Sequence, residues 1–158
     1  MGNCKYCWVL TVVLALTVAG MGYFFLVKGN TFLGEDGRTA IVLNEGEKAS
    51  VLGEMRDLLE GVQAITGAIA VNDMDTVAEV ASSLGMVVAN SDSPDLLAKL
   101  PLEVKTLGLG AHAAFDNLAA MAKENNDPNV ILLELSDMML SCVACHDGYR
   151  IAIENIDE

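Results

Sequence analysis

Residues 131–150 read ILLELSDMMLSCVACHDGYR. In this stretch Ile131, Leu135, Met138, Cys142, Cys145 and Tyr149 recur at alternating steps of four and three, continuing to Ala152. That rhythm lines side chains along one face of a helix. On the same face stands Cys142-Val143-Ala144-Cys145-His146, the C-x-x-C-H pattern by which a polypeptide captures haem covalently. Two thiols about one helical turn apart can each form a thioether to the same porphyrin, and His146 then follows with an imidazole for the iron. The alternatives are a C-x-x-C redox pair or half of a zinc site. Zinc needs two further ligands, and the other candidates are His112 and the distant Cys4 and Cys7.

Working outward, Asp127 is placed to cap this helix and Pro128 to open it, after a stop in Asn125-Asn126-Asp127. The preceding helix opens at Pro101 and buries Val104, Gly108, Ala111, Phe115, Leu118 and Ala122. A shorter one from about residue 75 to 90 presents Val77, Val80, Leu84 and Val87, and ends at the Ser93-Pro94 break. The first, from about 44 to 71, carries Val51, Met55, Leu58, Val62, Ile65 and Ile69. With no strand run, repeat or phosphate loop, the reading is all-α: a four-helix bundle with haem inside, attached to the last helix.

Trp8 to Val27, WVLTVVLALTVAGMGYFFLV, is uncharged over a length sufficient to cross a bilayer. A cleaved signal peptide has a shorter apolar core, so one uncleaved transmembrane helix is expected. Ala15 and Ala19 form a small-xxx-small pair that suits packing against another helix. Lys5 before the span and acidic residues from Glu35 onward favour a cytoplasmic N-terminus. The organisation is then a tail over residues 1–7, an anchor over 8–27, a linker over 28–43 and a haem domain over 44–158.

Beyond Lys28 the chain carries all 22 of its Asp and Glu, which excludes nucleic acid as a partner. Such a field either steers the domain to a basic docking surface or is a solvated exterior of the kind salt adaptation favours. No acid, base or nucleophile constellation indicates an enzyme.

The signature CVACHDGYR, with Cys142, Cys145, His146, Tyr149 and Arg150, resembles the class II cytochromes c, the cytochrome c-prime group and its low-spin relatives, over residues 44–155. The resemblance implies an antiparallel bundle with one haem c on its last helix. It also implies that Met55, on the first helix, lies at the position opposite His146, where low-spin members supply a methionine ligand. Met55 filling space beneath a five-coordinate haem is the alternative. Tyr149 is expected to pack on the porphyrin, Arg150 to pair with a propionate, and His112 to stand at the haem edge or in solvent.

The function expected is a membrane-anchored monohaem electron carrier at the inner membrane, on its periplasmic side, serving redox partners with basic docking surfaces. A gas-binding haem protein and a fixed subunit of a larger membrane complex are the alternatives. A homodimer is left open.

Overall fold

The structure is a computed structural model describing residues 4–89, 93–124 and 127–153. Positions 90–92, 125–126 and 154–158 lie outside the described residues, as do the first three residues of the tail. The chain is mostly helical, at 79%.

Helix α1, Cys4–Gly22, continues as a π-helical segment, Tyr23–Lys28, and this apolar run is long enough to cross a membrane. Two short strands follow, β1 (Thr31–Leu33) and β2 (Thr39–Leu43). The segment expected to be a free linker is therefore structured. It is also tied down: Lys105 Nζ donates to the Leu26 carbonyl at 3.3 Å, and Asn30 N donates to the Lys99 carbonyl at 2.8 Å. Gly29 is required here, because its φ is +64° and a Cβ would collide with the Lys99 carbonyl.

Helix α2 spans Glu45–Ala70. Asn44 accepts from Glu47 N at 2.8 Å while the Glu47 carboxylate accepts from Asn44 N, a capping box contributing about 1 kcal/mol. Then come α3 (Met74–Ser83), α4 (Met86–Ala89), α5 (Pro94–Lys99), α6 (Leu102–Glu124) and α7 (Pro128–Gly148). The expected second helix is thus broken at Leu84-Gly85, where Gly85 lies so close to Asp116 that no side chain would fit, and Val87 is left in solvent.

Helix α7 stops at Gly148 rather than running on through Tyr149 and Ala152. Those residues form β3, Tyr149–Ile153, parallel to β2 with Ile41 opposite Ile151, while β1 pairs antiparallel to β2. The all-α expectation is corrected accordingly. β-branched and aromatic residues at Ile41, Val42, Tyr149, Ile151 and Ile153 favour extended pairing, and the partner strand lies beyond the reach of local periodicity.

Two hydrophobic clusters result. The larger is built from Ile65, Ile69, Val77, Phe115, Leu118, Ile131, Leu135 and Met138 on α2, α3, α6 and α7, with Leu58 and Val62 packed against it. The smaller, at the anchored end, joins Ile41, Leu43 and Leu96, with Val51, Val104, Tyr149 and Ile151 against them.

Candidate functional site

Between the two clusters each long helix has an unburied stretch of seam. On α2 it is Met55, between Val51 below and Leu58 above, about 10 Å of helix at 1.5 Å per residue. On α6 it is Gly108, between Val104 and the buried Ala111, exposed and with nothing near the place a Cβ would occupy. On α7 it is Cys142 and Cys145, between Met138 and Tyr149; Cys142 is exposed and Cys145 half-buried. The two thiols therefore lie on the inward side of α7 but outside the packed core.

Side-chain hydrogen bonds join the elements that bear them. His112 on α6 meets Glu54 on α2 at 3.1 Å, Asn117 on α6 donates to Glu134 on α7 at 3.0 Å, and the Tyr149 hydroxyl donates to Glu103 at 2.6 Å. Met55 itself is 38% exposed and belongs to neither cluster.

His146 is exposed, and its main-chain carbonyl accepts from Arg38 Nη1 at 3.2 Å. Arg38 also approaches the Tyr149 carbonyl at 3.4 Å, so the β1–β2 turn caps the end of α7, where the helix dipole favours a cation. The reach of Arg38 to this end was invisible in the sequence. Arg150 lies 3.9 Å from Asp36, and its buried Nε has no hydrogen-bond partner.

His112 is corrected. It is not solvated but 5% exposed, with Nδ1 2.7 Å from the Leu84 carbonyl and Nε2 against Glu54. A carbonyl only accepts, so Nδ1 carries a proton, and the second nitrogen shares one with the carboxylate.

Burial pushes the Cys142 thiol up, and burial, Cys142 and Glu103 together push Cys145 up. A redox C-x-x-C pair needs the reverse: a thiolate stabilised at a helix N-terminus or beside a cation. Here the pair sits in the last turns of α7, near the negative end of its dipole. Among the described residues no group of three or more His, Cys, Asp or Glu forms a metal site, so zinc finds no further ligands there. Tyr149 is pushed up to about 12 by burial and by its bond to Glu103.

Cys142, Cys145 and the adjoining His146 follow Met138 where the packed seam of α7 ends, and Arg150 retains an unsatisfied donor suited to a carboxylate, a donor set of the kind a covalently held haem would use. Comparison with family models, with curated proteins and with solved structures finds no match to this chain.

Proposed function

We propose that the chain is a membrane-anchored class II c-type cytochrome, a four-helix bundle that carries electrons on the outer side of the cytoplasmic membrane through one covalent haem. The observation that carries the reading is that the seam of α7 leaves the packed core after Met138 at the two cysteines of the C-x-x-C-H motif, with His146 exposed beside them. Haem would supply a reversible one-electron couple there.

In this reading Cys142 and Cys145 would hold the group covalently, and His146 and Met55 would bind its iron. Arg150 offers Nε to a propionate. Tyr149 keeps its proton at neutral pH and donates it in a hydrogen bond to Glu103, so it packs and positions rather than transferring protons. No residue is assigned to catalytic turnover. The acidic surface suits a partner with a basic docking face.

Optical spectra of the oxidised and reduced protein test the ligand set. A low-spin spectrum with a weak far-red band is expected, lost in Met55→Leu while haem stays attached. A high-spin wild type would transfer first place to gas binding.

A second reading, a fixed subunit of a membrane electron-transfer assembly, draws support from the connection to the anchor. The contacts of Lys105 with Leu26 and of Asn30 with Lys99 leave little slack for a swinging tether. Co-purification of partner subunits in mild detergent distinguishes the two.

A further inference from the structure

The apolar N-terminal run ends at Lys28, and the chain is fastened on both sides of that point. Lys105 Nζ, near the start of α6, donates to the Leu26 carbonyl at 3.3 Å, in the last turn of the run, where carbonyls lose their in-helix partners. Thr31 Oγ1 donates to the Lys28 carbonyl at 3.3 Å, so β1 begins beside the same exit.

The sheet lies across this end of the bundle. β2 starts where Arg38 caps the close of α7 at His146, and it finishes at Leu43, next to Asn44, the N-cap of α2. Ile41 and Ile151 turn one face of the sheet to the smaller cluster. Phe32, paired with Ala40, belongs to the opposite face, because strand side chains alternate. It is 49% exposed, Leu33 beside it 77%, and Leu102, the first residue of α6, 50%.

The charges at this end differ from those of the whole chain, whose net charge is −13. Asp36 is paired with Arg38, Glu47 with Lys99, and Glu103 accepts from the Tyr149 hydroxyl. Among the described residues neither Lys28 nor Lys105 meets a carboxylate. Two such ammonium groups beside exposed apolar side chains suit the phosphates and upper acyl chains of a bilayer.

We propose that this end of the domain is seated on the bilayer that holds its own anchor, with Phe32, Leu33 and Leu102 in the headgroup layer and Lys28 and Lys105 among lipid phosphates. Leu26, to which Lys105 is bonded, belongs to the apolar span, so the start of α6 stands at the membrane surface. The seat is the headgroup layer rather than the hydrocarbon because β1 is the edge of the sheet. Its open side carries peptide groups that hydrocarbon would leave unsatisfied. The proposal rests on the reading of residues 8–27 as an anchor and is independent of the haem.

The test uses the full chain with Cys4→Ser and Cys7→Ser, in vesicles of phosphatidylcholine and phosphatidylglycerol, carrying a nitroxide at Phe32→Cys or Leu102→Cys. The background chain measures label taken up by Cys142 or Cys145. Leu14→Cys, within the anchor, and Val71→Cys, at the far end of α2, are the references. Oxygen concentrates in lipid and a nickel chelate in water. The ratio of oxygen to nickel access at Phe32 and Leu102 is expected to exceed that at Val71 several-fold and to stay below that at Leu14. Leu33→Cys takes the place of Phe32→Cys if the latter loses helix content. A ratio at either position no higher than that at Val71, with Leu14 in hydrocarbon, overturns the proposal and leaves the anchor standing. Low access to both reagents would show a protein contact in place of lipid and overturns it too. Leu14 in water removes the anchor and the proposal together.

Discussion

Arg38 donates a hydrogen bond from Nη1 to the main-chain carbonyl of His146, 3.2 Å away and 108 residues later in the chain. Together with the parallel pairing of Thr39 with Tyr149, it fastens the hairpin that follows the anchor to the end of the helix bearing the C-x-x-C-H motif. Arg38→Ala removes this cap. Because the guanidinium is partly solvated, the expected loss is about 1 kcal/mol, read as a lower melting temperature, with Arg38→Lys intermediate. An unchanged melting temperature would show that the strand pairing alone holds the junction.

Acid should loosen the same junction. Asp36 is held below the usual carboxylate range chiefly by its hydrogen bond from Arg38, with Arg150 adding attraction. Its folded value lies below its unfolded one, so its contribution is present above the unfolded value, about 4, and disappears as pH falls through the folded value. The stability difference between wild type and Asp36→Asn is expected to be present at neutral pH and to close in acid. Chemical denaturation at a series of pH values measures it, and a gap that persists at the acid end would contradict the assignment.

At the alkaline end Tyr149 gives the opposite sign. Its folded value of about 12 lies above the unfolded one, so the contribution is full below the ordinary tyrosine value and is lost as pH rises towards 12. Ultraviolet titration of wild type against Tyr149→Phe should show one late-ionising tyrosine that the variant lacks. In Glu103→Gln the ionisation is expected earlier, because the acceptor's charge is gone.

The His112 pair is a structural lock between α2, α6 and the turn after α3. His112→Leu leaves the Leu84 carbonyl without its donor and Glu54 without its partner, an expected loss of about 2 kcal/mol in urea unfolding. His112→Gln, which keeps a donor, is expected to lose less. Equal losses would show that volume rather than hydrogen bonding matters at this position.

The long helices were legible because their information is local. The seam from Val51 to Ile69, the Asp127 cap and the Pro128 start all recur within a few turns, and α2 and α7 begin where that pattern places them. The sheet was not legible, since β2 finds β3 across nearly the whole domain and each is only five residues long. The seam on α7 did read on past Gly148, because Tyr149 and Ala152 keep the helical spacing while the Arg38 cap that ends the helix comes from a distant turn. Of the candidate site, the cysteines and His146 were marked by motif, while spacing marked Met55 only as a seam residue and the family resemblance alone set it opposite His146. The burial of His112 depended on Leu84 and Glu54, which no motif connects to it.

The central claim is that Cys142 and Cys145 bind one haem covalently, and the intact mass of the denatured chain, purified from a host that attaches haem c, tests it most directly. The account predicts a mass increased by one haem in the wild type and no increase in the Cys142→Ala, Cys145→Ala variant. An unmodified wild-type mass, or haem retained by the variant, would contradict it.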